Sequence, residues 1–462
     1  MLTSLRIRNF KAWEDTGQIR LAPLTVLFGA NSAGKSSIPQ LLLLLKQTAE
    51  SPDRRTVLNL GNDRTPVDMG TFVEVLHNHD VSRSLEFEFS WTIGRELVVR
   101  DPLSGQAYRG DAMRFWSRVT GGPHQSWVET FGYELLHGNE CVLDLALRPR
   151  QEPVREIRGY ELVSERYPLR RTAPGESFTL EALRFYGFPG EVQALYQNAA
   201  FSADFVLELE RMLRSIYYVG PLREYPKRLY LWSGEAPEHV GERGEKAVEC
   251  ILASEGRAIS VGDDERLRWL PEVVAERLRD MGLIHEFAVR PIAPNRREHE
   301  VLVRTAPGLP EVKLTDVGFG VSQVLPVIVE CFYVPRRSIV IFEQPEVHLH
   351  PSVQADLADL FVDAIRARED GEPRECQFII ESHSEHFLRR LQRRIAEEEL
   401  SEKDVAIYFV YTGAEGARLE ALDVDEYGNI RNWPEGFFGD EMADLVARTE
   451  AQARRMKARE NG

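Results

Sequence analysis

Two short stretches hold residues whose types and spacing can do chemistry. "GANSAGKSS", from Gly29 to Ser37, sets glycines at 29 and 34, a lysine at 35 and serines at 36 and 37. Glycines let the backbone curl until several N–H groups point inward, a shape that cradles phosphate oxygens. In this spacing Gly29, Asn31, Ser32, Ala33 and Gly34 make the cradle, and Lys35 neutralises the outer phosphates of a bound ATP. The Ser36 hydroxyl ligates Mg²⁺, and the helix opening at Ser37 offers its positive end. A chance glycine loop is the bland alternative, but strand, loop and helix occur here in the required order. The second stretch, "IVIFEQPEVHLHP" from Ile339 to Pro351, runs four apolar residues into a carboxylate. A buried strand of this kind delivers an acid to a nucleotide site, where Glu343 is expected to hold Mg²⁺ through water. The next residue is Gln344, which can orient a water by hydrogen bonds but cannot take its proton at neutral pH. Glu346, two residues on, is a substitute candidate for the base.

These residues need a scaffold. Leu24–Phe28 is a short continuous apolar run that predicts a buried strand, and Ile38, Leu41, Leu42 and Leu45 fall on one face of a helix behind the glycine loop. From about residue 270 onward apolar runs ("SIVIF", "CQFII", "VAIYFVY") alternate with helical patterns ("SVQADLADLFVDAI", "SEHFLRRLQRRIAEE"), while "EVKLTDV" reads as a strand. "SQVLPVIVECFYV" predicts a mostly apolar helix beginning near Ser322, with Pro326 in its first turn. Strands alternating with helices imply an α/β fold with a parallel sheet covered on both faces. The two ends of the chain are expected to build that sheet, with residues 1–95 and 266–422 as its parts, 96–265 as an inserted α+β lobe and 423–462 as a C-terminal tail.

The totals limit the class. The chain has 462 residues, 43% hydrophobic and 28% charged, which suits a soluble globular protein of two or three lobes. A formal charge of −16 argues against coating nucleic acid through overall charge. No apolar run approaches the ~18–20 residues that span a bilayer, and the first residues lack the pattern of a signal peptide. The four cysteines are scattered without metal-ligand spacing, and with the rest they predict a cytoplasmic setting.

"LRIRNFKAWEDTGQIRLAPLTVLFGANSAGKSS" resembles the opening of SMC, RecF and OLD-type ATPases, the ABC-like branch of the P-loop proteins. "EQPEVHLHP" is similar to their "EEPExHLHP" motif, in which Gln344 replaces the catalytic glutamate. "FIIESHSEHFLRRL" is similar to their switch strand and helix, with His383 as the switch. "DVGFGVSQVLP" stands where the ABC signature belongs, although it is not LSGGQ. The tail "DVDEYGNIRNWPEGFF" and the middle "YYVGPLREYPKRLY" resemble segments of a bacterial subgroup whose C-terminal region has no assigned function.

The resemblance implies two lobes meeting head to tail around two ATPs, hence at least a homodimer or a higher even-numbered oligomer. Gly320, Ser322 and Gln323 of one copy would then cap the γ-phosphate held by the other. It also implies an ATPase, slow here for want of the glutamate, that passes closure to an effector such as a nuclease in anti-phage or anti-plasmid defence. The alternatives are a non-catalytic, nucleotide-gated scaffold that sequesters an effector, and a RecF-like repair ATPase that engages DNA.

Other signals carry bland readings. Arg389, Arg390, Arg393 and Arg394 share one helix face that could meet DNA phosphates, but pairing with nearby acids is the stronger expectation. His348, His350, His383 and His386 could be drawn together as a zinc site, yet the ABC-like assignment explains three of them without metal. "DVD" at Asp423–Asp425 is similar to the acidic pair of Toprim nucleases but has too little chain around it, and is expected to be a strand end and turn. Arg223 and Arg228 are candidate phosphate sensors that more often would pair with acids.

Overall fold

Short apolar runs form the centre of the molecule. In the computed structural model, which describes residues 1–123, 125–149, 159–172, 181–262, 264–413, 416–434, 448–449 and 451–452, they assemble a six-stranded sheet. Its order is Ile216–Val219, Ile339–Glu343, Gln377–Glu381, Leu24–Gly29, Val405–Gly413 and Gly416–Ala421. The first five run parallel and the last is antiparallel to its neighbour. The fold is α/β, with its central sheet drawn from both ends of the chain. Ile216–Val219 is the exception in origin: it comes from the middle segment yet extends this sheet at one edge.

Side chains alternate across the strands with a period of two. Ile339, Ile341, Ile379, Ala406, Tyr408 and Val410 enter one core. Val340, Phe342, Phe378, Ile380, Leu24, Val26, Phe28, Val405 and Ile407 enter the other. Runs that are apolar on both sides are what a sheet covered on both faces requires.

The first core lies between this sheet and a second, antiparallel one. That sheet runs Trp13–Asp15, Leu2–Phe10, Leu85–Arg100, Ala107–Gly121, Ser126–His137, Glu140–Pro149 and Tyr160–Val163, with Ile19–Arg20 also paired to Leu2–Phe10. The helix Ser37–Glu50 is sandwiched in this core, where all five leucines from Leu41 to Leu45 are buried. The second core is covered by the helices Phe319–Tyr333, Pro351–Arg366 and Glu385–Ala396 together with Leu270–Asp280.

Two expectations are corrected. The helix expected to begin near Ser322 begins at Phe319, with extended Gly318 before it, so Pro326 lies in its interior and not in its first turn. Every residue from Val321 to Tyr333 is buried, and packing on all sides holds the helix together where proline removes one hydrogen bond. "EVKLTDV" is a strand only at Val312–Lys313 and then tightens into a 3₁₀ turn over Leu314–Asp316. The helix Ser202–Arg214 ends one residue before the edge strand Ile216–Val219.

Asp425 accepts hydrogen bonds from the backbone N–H groups of Tyr427 and Asn429, which makes "DVD" the start of a turn. Most of the C-terminal tail beyond residue 434, including the end of "NWPEGFF", lies outside the described residues. No helix among the described residues is long and apolar enough to cross a membrane.

Candidate functional site

The parallel strands Leu24–Gly29, Ile339–Glu343 and Gln377–Glu381 all end on the same edge of the sheet, and each delivers a functional group there. Register alignment sets Glu343 beside Glu381 and Glu381 beside Leu27, two residues before the glycine loop. The loop depends on its glycines. At Gly29 (φ 141°) a Cβ would lie 2.0 Å from the Val410 carbonyl oxygen, and at Gly34 (φ 105°) it would lie 2.9 Å from the Ala12 Cβ. Fully buried Trp13 supports the loop from beneath, donating its indole N–H to the Gly34 carbonyl at 3.1 Å. Asn31 and Ser32 are exposed on the loop, whereas Ala33 and Ser37 are buried.

Lys35 turns back into the loop. Its ammonium, 2% exposed, donates to the carbonyls of Gly29 (3.0 Å) and Ala30 (2.7 Å) and lies 3.7 Å from Glu381. Burial lowers its pKa, and Glu381 opposes the shift. The Ser36 hydroxyl donates to the other Glu381 oxygen at 2.7 Å. Glu381 is the site residue that the sequence reading missed. The signal was present: "QFIIE" ends an apolar run on a carboxylate, as "IVIFE" does.

Glu343 faces this cluster. Burial, and then repulsion from Glu381, push its pKa up to about 7, while a hydrogen bond from the Tyr218 hydroxyl works the other way. The same burial and the neighbouring Glu343 raise Tyr218. Tyr218 pairs with Ile341 across the sheet edge, so the unexpected strand Ile216–Val219 is what brings it to Glu343. A buried carboxylate beside a half-buried one, with a serine hydroxyl and a lysine against the first, suits a divalent cation carried by a phosphate chain.

Gln344 and Glu346 follow on a tight turn. Gln344 sits at φ 45° and His348 at φ 65°, left-handed conformations uncommon away from glycine. Gln344 is partly exposed, and its backbone N–H donates to the Glu381 carbonyl at 2.8 Å. Glu346 is buried and accepts from the Ser382 hydroxyl (2.9 Å) and the His383 N–H (2.6 Å). The His383 ring is bonded to the Gly29 backbone; burial, and then Lys35, lower its pKa, while that bond raises it. Its Nε2 is buried and has no hydrogen-bond partner.

Gly29, Lys35, Ser36, Glu343, Gln344, Glu346 and His383 thus converge. The signature residues do not join them within one copy. Ser322 and Gln323 are buried in their own helix packing, with the Ser322 hydroxyl donating to the Phe319 carbonyl at 2.7 Å. Gly318 and Phe319, at the helix N-terminus, are the exposed residues there, with Gly320 partly so. Phe319 packs against His348 at 5.3 Å between ring centres, which ties the signature helix to the turn after Glu343.

A family model described as an AAA ATPase domain matches residues 1–93 and 285–388, the two segments that supply the glycine loop, Glu343 and Glu381. These two segments are similar to that ATPase family, in keeping with the resemblance to the ABC-like ATPases of the SMC, RecF and OLD group. A second family model, for a protein of unknown function (DUF3696), matches residues 400–447 of the chain. No curated protein matches it. Among solved structures it is similar to an SMC head bound to the C-winged helix domain of ScpA, at 11% identity, TM-score 0.43, over 92% of this chain and 98% of that one. It is also similar to the SMC head domain from Thermotoga maritima, at 11% identity, TM-score 0.39, over 92% and 99%. The Pyrococcus furiosus SMC head with an extended coiled coil, bound to the C-terminal domain of ScpA, matches at 10% identity, TM-score 0.40, over 91% and 96%.

The remaining motifs resolve into contacts. Arg389 pairs with Glu385, Arg393 with Glu397, and Arg390 and Arg394 both reach Asp359. Arg228 pairs with Asp316 at 3.0 Å. Among the described residues no group of three or more His, Cys, Asp or Glu side chains is arranged to hold a metal ion.

Proposed function

We propose that this ATPase binds Mg²⁺–ATP in the Gly29–Ser37 loop, hydrolyses it slowly, and uses nucleotide-driven pairing of two copies to move an effector. One observation carries the reading: Lys35, Ser36, Glu343, Gln344 and His383 stand on adjacent strand ends around one loop, with Gln344 in place of a carboxylate directly after Glu343. Lys35 would leave the Gly29 and Ala30 carbonyls for phosphate oxygens, at little cost because both partners are acceptors. Bound Mg²⁺ would neutralise charge building on the phosphates and settle the repulsion between Glu343 and Glu381. Ser36 and Glu343 would hold it, with Glu381 beside them.

Gln344 orients the attacking water, as phosphoryl transfer relies on positioning and charge stabilisation more than on a strong base. His383 offers its Nε2 to the γ-phosphate. Glu346, engaged by Ser382 and His383, holds the turn in place of acting as the base. Across the dimer, the backbone N–H groups at Gly320 and the exposed start of the Phe319–Tyr333 helix supply the cap. Ser322 and Gln323 stand behind that cap.

Residues 96–265, apart from Ile216–Val219, form the lobe that receives the movement. The setting that fits best is cytoplasmic defence against phage or plasmids, with the nuclease on a separate chain. The scaffold reading differs in one respect: it needs ATP bound but not cleaved. Phosphate release and light scattering, with Lys35→Ala and Gln344→Glu beside wild type, separate the two. Turnover near ~10 s⁻¹, the middle of the enzyme range, would reject slow switching. Binding without any turnover would leave the scaffold.

A further inference from the structure

The turn after Glu343 is stitched in place almost residue by residue. The Val347 N–H donates to the Gln344 carbonyl and the Leu349 N–H to the Glu346 carbonyl, both at 3.1 Å. Gln344 and Glu346 are tied to the switch strand as described. Pro345 has no N–H, and its carbonyl meets Nη1 of Arg223 at 3.5 Å, the outer limit of a hydrogen bond. Arg223 comes from the segment that leaves the edge strand Ile216–Val219, and it is 4% exposed. Its Nε and Nη2 and the Oε2 of Glu346 are all buried without hydrogen-bond partners. The two side chains act on each other electrostatically: Glu346 holds up an Arg223 pKa that burial lowers to about 10. Buried opposite charges that are neighbours and yet unbonded are costly, and a small movement converts them into a charge-assisted pair.

We propose that Arg223 and Glu346 are a positioning pair for hydrolysis: they close on each other as nucleotide binds and so fix Gln344, one residue away from both Glu343 and the Pro345 carbonyl that Arg223 holds. The inference rests on Gln344 as the residue that orients water. It differs from a phosphate-sensing role for Arg223, because the groups facing the guanidinium belong to the turn and not to the glycine loop. It also ties the reaction to the outer surface. The neighbours of Arg223, Leu222 and Tyr225, are each 74% exposed, and Tyr225 packs on Phe319 at the start of the signature helix.

The test separates binding from cleavage. Arg223→Gln, Arg223→Lys, Glu346→Gln and the Arg223→Gln/Glu346→Gln double variant are titrated with a fluorescent ATP analogue and followed through single-turnover hydrolysis of Mg²⁺–ATP. The pair predicts Kd within about threefold of wild type and a hydrolysis rate lower by on the order of 10- to 100-fold. The double variant should be no slower than the worse single variant, because partners acting as a unit are not additive. Arg223→Lys should recover part of the rate, since it keeps the charge but not the fork.

A Kd that rises in step with the lost rate would make Arg223 a phosphate contact and overturn the pair. So would losses that multiply in the double variant. If Arg223→Gln alone fails to fold, Arg223→Lys and the double variant, which buries neither charge, decide the matter by the same criteria. A wild type that binds ATP and never cleaves it overturns the positioning role while leaving the binding site standing. A wild type that binds no ATP removes the proposed function and this pair with it.

Discussion

In the proposed mechanism Gln344 sets the rate, and Glu343 sets the charge of the site. Restoring a base, Gln344→Glu, is expected to raise turnover by on the order of 100-fold, the low end of what a positioned general base contributes; phosphate release under saturating ATP measures it. Lys35→Ala should abolish nucleotide binding in a calorimetric titration, because its buried ammonium is what touches the Gly29 and Ala30 carbonyls of the loop. Glu343 also predicts how the free protein responds to pH. Its folded pKa of about 7 lies above the usual 4.5, so the folded chain holds this proton more tightly than the unfolded chain does. Stability from this group is complete below pH 4.5 and is lost as pH rises to about 7. Glu343→Gln has no such proton to lose. Thermal melts without nucleotide should therefore show the variant gaining on wild type between pH 5 and pH 8; a constant gap across that range would count against the shifted carboxyl. Glu381 shows why a residue of this kind escapes a sequence reading. Its strand has the same form as "IVIFE", but a carboxylate after an apolar run gains meaning only once its neighbours are known, and Ser36 and Lys35 lie about 345 residues away in sequence.

Elements around the site were legible where their own length and pattern sufficed. Strands buried on both faces read as continuous apolar runs, and the helices behind them keep a 3.6-residue stripe. What failed was any element defined by its surroundings. Ile216–Val219 follows the helix Ser202–Arg214 after a single residue, so its apolar side chains read as more helix. The interior position of Pro326 is set by packing that the sequence does not display. The supporting elements make their own predictions. Trp13→Phe keeps the aromatic body but loses the indole bond to Gly34, and is expected to weaken ATP binding several-fold with a smaller effect on the melting temperature; equal Kd values would mean that the loop holds its own shape. In the helix Glu385–Ala396, exposed Arg393 pairs within its own helix, whereas Arg394 is largely covered and reaches Asp359 on the neighbouring helix at 2.7 Å. Arg393→Gln should change unfolding free energy by less than about 1 kcal/mol, and Arg394→Gln by more, in urea titrations. If both arginines instead served DNA, a salt-dependent loss of DNA binding would accompany each substitution.

At the scale of the molecule, the proposed mechanism places two copies around two nucleotides, with the exposed start of the signature helix of one copy meeting the loop cluster of the other. Light scattering with Mg²⁺–ATP should show the mass doubling for Gln344 wild type, persisting while nucleotide is uncleaved, and absent for Lys35→Ala. The order of the central sheet has a further consequence, for synthesis. Leu24–Gly29 sits between Gln377–Glu381 and Val405–Gly413, so both its neighbours leave the ribosome more than three hundred residues after it does. At ~5–20 residues per second that interval is roughly 17 to 75 s. Throughout it the nascent loop has no edge to dock on, and the growing chain carries an unpaired apolar strand that a chaperone would be needed to shield.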